Sequence, residues 1–347
     1  MRIFVHKIIY LVIPILFLIA SINFIVDPAN IFHKSVVDRA VNILIGGHNV
    51  EGLSDYDERE LQIKYISAYK KSPDVIALGS SRVLQISQGM VKGSFLNNGV
   101  SGAGVYDYIG IAGIYKSYEI VPGKIIIGLD PWILNKKNGD TRYRTLNQYI
   151  QFFQGEGAEQ APSRNGGRFQ DILQLFSPSY FQTSVRVRKG KVQINATNEK
   201  RGERIIKCTD GSIEYPRKTR ERSREEINAA ALDYISGKMY QIEDYNSLDD
   251  ELKAEFENLV NYFVSEGIEV IFYLPPYHPI VYDYINKHEK YREVLLAEKY
   301  FKDFAIDNSI ELYGSYDPAC CDCNEEDFFD GMHLKQSGLN NIFPDGL

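Results

Sequence analysis

A serine, an aspartate and a histidine have the types and the order needed for nucleophilic catalysis. Ser81 follows the apolar run Val75–Leu78, whereas Asp330 and His333 lie three residues apart near the other end of the chain. In such a set the aspartate orients the imidazole, whose other ring nitrogen accepts the serine proton during attack on an acyl carbon. We therefore treat Ser81, Asp330 and His333 as candidate catalytic residues for acyl transfer.

Ser81, and likewise the pair Asp330 and His333, also has an ordinary structural interpretation. A serine between a strand and a helix commonly serves as the helix N-cap. Asp330 likewise suits the cap of the last helix, which would leave His333 as a surface residue. The presence of all three residues in one chain favours the catalytic interpretation.

The residues around Ser81 predict how its side chain is positioned. Val75–Leu78 is continuously apolar and partly β-branched, which is typical of a parallel strand buried on both faces. Gly79 allows a sharp turn, and apolar residues at helical spacing predict a helix over 82–90. Ser81 then lies at a helix N-terminus, where free backbone N–H groups can face developing negative charge.

Strand and helix patterns alternate along most of the chain after residue 72. This alternation predicts an α/β fold, a three-layer doubly wound parallel sheet, because parallel strands need helical crossovers. The strands then bring Gly79, Gly99, Asp130 and Tyr277 to one edge of the sheet. The predicted strands are 75–78, 94–96, 124–129, 270–274 and 310–312, and the predicted helices are 82–90, 105–117, 225–240, 248–266, 291–306 and 336–343.

Three short motifs, taken in order, resemble those of the SGNH/GDSL superfamily of hydrolases and acyltransferases. They are Gly79-Ser80-Ser81-Arg82, Asn97-Asn98-Gly99-Val100-Ser101-Gly102 and Asp330-Gly331-Met332-His333. In style the chain is similar to membrane-anchored members that acylate envelope polymers, such as the D-alanyl transfer protein of teichoic acids and the alginate O-acetyltransferases. By this resemblance, Ser81 matches the catalytic serine and Gly99 matches the glycine whose N–H helps to form the oxyanion hole.

The resemblance implies serine-dependent acyl transfer at the outer face of a membrane. The implied substrates are an acyl donor and a glycan or other envelope polymer that accepts the acyl group. The implied partner is a membrane-embedded protein that exports acyl groups, and no cofactor or metal is implied. If water accepts the acyl group instead of a sugar hydroxyl, the protein is an esterase.

One motif departs from the pattern of that family. Asp130, after the apolar run 125–129, stands where the family has an asparagine that donates to the oxyanion. An ionised carboxylate cannot donate, so either burial protonates Asp130 or its side chain points elsewhere. We favour an ion pair with Arg82, because a buried arginine needs a carboxylate partner. The departure also suits an inactive relative that binds glycan or scaffolds polymer assembly.

Several residues beside these motifs are candidate oxyanion or substrate contacts. Ser80, Arg82 and Asn98 lie within the first two motifs. Gly99 and Asp130 are further candidates for oxyanion or substrate contacts. His278 follows the predicted strand 270–274 and is a second candidate base, ranked behind His333.

Composition excludes some classes of protein. The chain has 347 residues, 44% of them hydrophobic and 24% charged, which is typical of a folded globular protein. The formal net charge is -7, and no dense lysine and arginine block is present. These features argue against a nucleic-acid partner.

The amino terminus predicts a membrane anchor. Residues 8–26 contain no charged side chain, and a helix of that length nearly spans a hydrocarbon core of about 30 Å. Arg2, His6 and Lys7 precede it, so residues 1–7 are predicted to be cytoplasmic and the remainder extracytoplasmic. A cleaved signal peptide is the alternative. Residues 27–72 then form a juxtamembrane helical segment, and 73–347 form the catalytic domain.

Four cysteines fit an extracytoplasmic location. They are Cys208, Cys320, Cys321 and Cys323, which allow one or two disulfides in an oxidising compartment. A zinc site is a weaker alternative, because the Cys-Cys-x-Cys spacing is poor for tetrahedral ligation.

An insertion at about residues 136–222 interrupts the alternation of strands and helices. It is rich in Asn, Gln, Gly, Arg and Tyr, and such insertions commonly recognise substrate. The alternative is a solvated flap without function. Its aromatic and basic residues suit either a carbohydrate or plain core packing: Tyr143, Arg144, Tyr149, Phe152 and Phe153.

Overall fold

The computed structural model describes residues 2–26, 35–155, 175–176, 181 and 193–347. Its strands are β1 (Asn49–Glu51), β2 (Val75–Leu78), β3 (Phe95–Asn97), β4 (Lys124–Gly128), β5 (Asn195–Thr197), β6 (Ile206–Lys207), β7 (Ile213–Glu214), β8 (Glu269–Leu274) and β9 (Glu311–Gly314). Its α-helices are α1 (Arg2–Val26), α2 (Val36–Ile45), α3 (Glu58–Tyr69), α4 (Val105–Ser117), α5 (Asn147–Gln154), α6 (Arg217–Arg220), α7 (Arg224–Ser236), α8 (Asp250–Ser265), α9 (Pro279–Lys287), α10 (Arg292–Asp307) and α11 (Gln336–Ile342).

Five parallel strands form the central sheet, in the order β3-β2-β4-β8-β9. Side chains alternate between its two faces, and both faces are buried. Ile76 and Leu78 of β2 pack in one hydrophobic cluster, whereas Val75 and Ala77 pack in the other. Burial on both sides explains why these strands read as continuous apolar runs. The predicted α/β fold with one parallel sheet is confirmed.

A smaller antiparallel sheet has the order β5-β1-β6-β7. It joins a strand that precedes the parallel sheet to three strands of the insertion. Within the insertion, residues 156–174, 177–180 and 182–192 lie outside the described residues.

Two helices of the predicted juxtamembrane segment pack on the main core. Val37 and Leu44 of α2, and Leu61 and Ile66 of α3, belong to the larger hydrophobic cluster beside the parallel sheet. The apolar stripe of α2 therefore faces protein. Residues 27–34, the start of the predicted juxtamembrane segment, lie outside the described residues.

In α1 the side chains are described only for Tyr10 and residues 13–25. Among the described residues, no helix is both long enough and apolar enough to cross a membrane.

The predicted helix over 82–90 is replaced by two short 3₁₀ turns, Ser81–Val83 and Gln88–Met90. A side chain from the neighbouring strand explains the difference. The Asn97 amide nitrogen donates to the carbonyls of Val83 and Ile86, at 2.8 and 2.9 Å. The Val83 carbonyl also accepts from the Ile86 N–H in a 3₁₀-type bond at 2.9 Å, and the Asn97 side chain takes the place of the N–H groups that a following α-helical turn would supply.

The cysteines differ from the expected disulfides, because all four are free thiols. Cys321 and Cys323 are buried in the cluster between the parallel sheet and α11. Cys208 belongs instead to the turn between β6 and β7 of the small sheet and forms no disulfide with the cysteine cluster.

Candidate active site

Ser81, His333 and Asp330 form one connected set of side chains. Ser81 Oγ lies 2.9 Å from His333 Nε2. On the other side of the ring, His333 Nδ1 lies 3.0 and 2.9 Å from the two carboxylate oxygens of Asp330. Fixed between a carboxylate and a hydroxyl, the imidazole can take the serine proton through Nε2.

Asp330 is held as an anion by its surroundings. Burial alone would raise the pKa of Asp330, but the charge and hydrogen bond of His333 and two backbone N–H bonds lower it to about 2. The backbone donors are Met332 and His333, at 2.9 and 3.0 Å. A permanent negative charge at this position stabilises a protonated imidazole.

Local backbone structure positions Ser81 and His333. Ser81 is the first residue of a 3₁₀ turn whose N-cap, Ser80, accepts from the N–H of Arg82 at 3.1 Å. Gly79 packs so closely against Val83 that a Cβ at Gly79 would overlap that side chain. His333 lies in a tight loop that is closed by a bond from the Phe329 N–H to the His333 carbonyl, at 2.8 Å.

Arg82 ties three parts of the site together. Its guanidinium is buried and donates to Asp130 after β4 and to the carbonyls of Pro275 and Pro276 after β8. Its Nε donates to the carbonyl of Met332, at 3.0 Å. The ring of Tyr277 lies 4.2 Å below the guanidinium carbon. Arg82 therefore positions the histidine loop and does not contact the cavity.

Asp130 is fully buried and paired with Arg82, at 3.0 Å. Complete burial raises the pKa of Asp130, and the Arg82 guanidinium and the Ser80 hydroxyl oppose that rise. Because arginine stays protonated, the buried pair is charge-balanced when Asp130 is ionised. The structure thus has the ion pair between Asp130 and Arg82 that we favoured from the sequence.

An open cavity of about 480 Å³ lies over Ser81 and His333. Three aromatic side chains form much of its wall, and Arg142 and Asp233 add charge. Arg142 also bonds to the hydroxyl of Tyr240, at 3.1 Å. The lining comprises Ser81, Ser101, Gly102, Trp132, Arg142, Ala230, Asp233, Tyr234, Tyr240, Asp330, Gly331, Met332 and His333.

The structure corrects the role expected for Gly99. The Gly99 N–H donates to the Asn97 side chain at 2.9 Å, and Gly99 does not line the cavity. Gly102, three residues later, does line it. Among the described residues, neither Gly102 nor Ser81 donates its N–H to a protein acceptor. Both N–H groups therefore remain free to donate to a bound ligand.

The other candidate contacts are also structural. Ser80 and Asn98 are buried, and Asn98 bonds to Gln62 and Tyr115, at 2.8 Å each. His278 is buried against Phe328 and accepts from the N–H of Ile280 at 3.2 Å, as the N-cap of α9. None of them lines the cavity. His278 is therefore placed neither to activate Ser81 nor to contact substrate.

The cavity is lined by two residues that sequence reasoning missed, Trp132 just before the insertion and Arg142 within it. By contrast, Tyr143 packs on Tyr106 and Phe153 packs on Tyr262, with ring centroids 5.2 and 4.7 Å apart. The remaining highlighted residues, Arg144, Tyr149 and Phe152, are also absent from the lining. The neighbouring Tyr143 and Arg144 were noted in the sequence, but no local pattern distinguishes Arg142 from them.

No protein-family model matches the chain, and no curated protein is significantly similar to it. Among the described residues, no group of three or more histidine, cysteine, aspartate or glutamate side chains is placed to hold a metal ion. Functional inference therefore starts from the geometry around Ser81.

Proposed function

We propose that the protein transfers acyl groups through an ester of Ser81. The observation that carries this proposal is the 2.9 Å contact between Ser81 Oγ and His333 Nε2, with Asp330 bonded to the far ring nitrogen. Ser81 also opens onto the cavity, so a substrate carbonyl can reach it. A histidine that was only a surface residue would not need this alignment.

The proposed reaction has two halves. Ser81 Oγ attacks the acyl carbon while its proton passes to His333 Nε2, and Asp330 stabilises the resulting imidazolium. His333 then protonates the leaving group as its bond to the acyl carbon breaks. In the second half, an acceptor hydroxyl gives its proton to His333 and attacks the acyl carbon. The bond between that carbon and Ser81 Oγ then breaks, and His333 returns the proton to Ser81 Oγ.

The negative oxygen of each tetrahedral intermediate needs hydrogen-bond donors. We assign this role to the backbone N–H groups of Ser81 and Gly102, which have no protein acceptor among the described residues. Such preorganised donors typically account for about a 10²-fold to 10³-fold effect on rate each. Asp130 was the main argument for an inactive protein. Its burial and its ion pair with Arg82 weigh against that argument.

The acceptor that we propose is a hydroxyl of an envelope glycan or polymer, which would make the protein an O-acyltransferase. Support comes from the open cavity, whose lining includes the aromatic side chains of Trp132, Tyr234 and Tyr240. A donor exported by a membrane-embedded partner belongs to this proposal. Hydrolysis, with water as the acceptor, uses the same residues.

The resemblance to SGNH enzymes extends this proposal to the fold and the location. We propose a three-layer, doubly wound SGNH-type domain, anchored by residues 8–26 and exposed outside the cytoplasm. The parallel sheet with both faces buried supports the fold. A reporter that functions only in the cytoplasm, fused after Leu347, tests the location, since activity of that reporter would contradict it.

Covalent labelling tests the catalytic proposal directly. A fluorophosphonate probe reacts with serines that have an activated hydroxyl, so it should label the full-length protein at Ser81. Ser81→Ala should abolish labelling, whereas Ser87→Ala, at a hydroxyl outside the cavity, should leave it unchanged. An unlabelled wild-type protein, or equal labelling of Ser81→Ala, would reject the proposed nucleophile.

A further inference from the structure

Glu58, at the first turn of α3, holds a residue of the active-site cavity. Its Oε1 accepts from the Ser101 hydroxyl at 2.8 Å, and its Oε2 accepts from the Ser101 backbone N–H. Ser101 and Gly102 both line the cavity over Ser81. Glu58 thus bonds to a residue of the cavity wall without lining the cavity itself. It also lies outside the three sequence motifs.

The backbone around Ser101 forms a tight turn. The Ala103 N–H donates to the Val100 carbonyl at 3.1 Å, and Gly102 has a φ of +62°. A positive φ at the third position is what a type II turn requires, and glycine adopts it without strain. The direction of the Gly102 N–H depends on the peptide between Ser101 and Gly102. Anchoring Ser101 therefore orients that N–H.

The other end of the same loop is held by a second carboxylate. Asp107 accepts from the Gly104 N–H at 2.9 Å and forms a bidentate pair with Arg59, at 2.9 and 3.2 Å. The Arg59 guanidinium also lies 3.7 Å from Glu58. Burial raises the pKa of Asp107, and the charge and hydrogen bonds of the buried Arg59 oppose that rise. Two carboxylates therefore hold the loop, Glu58 at Ser101 and Asp107 at Gly104.

We propose that Glu58 is a positioning residue that sets the direction of the oxyanion-binding N–H of Gly102. This inference rests on the proposed function, because it assumes that Gly102 stabilises an oxyanion. Glu58 acts through Ser101 and touches neither the substrate nor the reacting atoms. Its role is in the transition state, so losing it should slow acylation more than it weakens substrate binding.

Rates of fluorophosphonate labelling of the full-length protein test this role. Glu58→Ala removes both acceptors, and the labelling rate constant should fall about 10²-fold, as when one oxyanion donor is lost. Glu58→Gln keeps an acceptor for the N–H and a partner for the hydroxyl, so it should stay within about threefold of wild type. Rates are compared at a temperature where melting curves show each variant folded.

Glu60→Ala is the matched control. Glu60 lies on the same helix, carries the same charge and pairs with Lys64 instead of the loop, at 2.7 Å. Its labelling rate should equal that of wild type. The pH midpoint of labelling should be the same in all variants, because the contacts of His333 are unchanged.

The outcomes separate the two proposals. An unlabelled wild type rejects the proposed function and this inference with it. Labelling of wild type and Glu58→Ala at equal rates rejects the role of Glu58 alone. A Glu58→Gln variant as slow as Glu58→Ala, or a shifted pH midpoint, also overturns the inference, because the charge of Glu58 would then act on the triad.

Discussion

The Arg82 guanidinium and the Asp130 carboxylate lie 3.0 Å apart with both side chains buried. Arg82 directly follows the candidate nucleophile, and its Nε also donates to Met332, one residue before His333. The pair therefore connects the serine turn, the end of β4 and the histidine loop. We expect the distance between Ser81 and His333 to depend on it.

Asp130→Asn should destabilise the protein and lower its activity. Removing one charge of a buried pair leaves Arg82 without a counter-ion, which typically costs about 3 kcal/mol or more. Chemical denaturation measures the free energy of unfolding. The control is Asp283→Asn, which breaks an exposed pair with Lys287 and should cost less than about 0.5 kcal/mol. Increased turnover of a small acyl ester by Asp130→Asn would show that residue 130 contacts the oxyanion after all.

Ser81→Ala and His333→Ala should have similar effects on ester turnover, and the double variant should lose little more. The two groups act as one unit in proton transfer, so either loss removes nearly the whole contribution, about 10³-fold or more. Steady-state kinetics on a small acyl ester gives the comparison. If the two losses multiply in the double variant, His333 is not the base that serves Ser81.

Acid should destabilise the protein through His278. Burial lowers the pKa of His278 to about 4 from an unfolded value of about 6.5. The unfolded chain therefore binds the proton first, and the free energy of unfolding falls as the pH drops from about 6.5 to about 4. The expected loss is about 2 to 3 kcal/mol.

His278→Asn should reduce this pH dependence, because asparagine does not titrate there and can still cap α9. Denaturation at pH 7 and pH 4.5 measures the change in each variant. The control His288→Asn, at an exposed histidine, should keep the wild-type slope. An unchanged slope in His278→Asn would mean that other groups cause the acid sensitivity.

Gly102→Ala should disturb the cavity wall. A Cβ at Gly102 would overlap the Tyr240 hydroxyl and the Arg142 guanidinium, and the positive φ adds strain of about 1 kcal/mol. Gly139→Ala is the control: Gly139 has a similar φ of +71° and so the same strain, but a Cβ added there would meet no atom closer than 3.7 Å. Ester turnover should fall in Gly102→Ala and stay near wild type in Gly139→Ala. Equal activities would show that the contacts of Gly102 are unimportant.

The sequence alone determined the sheet and the local half of the site. Strands such as Val75–Leu78 are buried on both faces, so burial leaves an apolar run that can be read directly. Asp330 and His333 are three residues apart, so a single loop brings them together and spacing suffices to predict their contact. Ser81 was also predictable as a candidate, because it lies in the turn that follows a strand of the parallel sheet.

Tertiary structure decided which groups around Ser81 are free to act. Gly99 and Gly102 look alike in the sequence, but the Asn97 side chain occupies the N–H of Gly99 and leaves that of Gly102 available. The contact between Glu58 and Ser101 joins residues 43 positions apart, and no local periodicity encodes such a pairing. Hydrogen-bond partners across the fold depend on how elements pack, so only the assembled structure separates N–H groups that lack a protein acceptor from those already bonded.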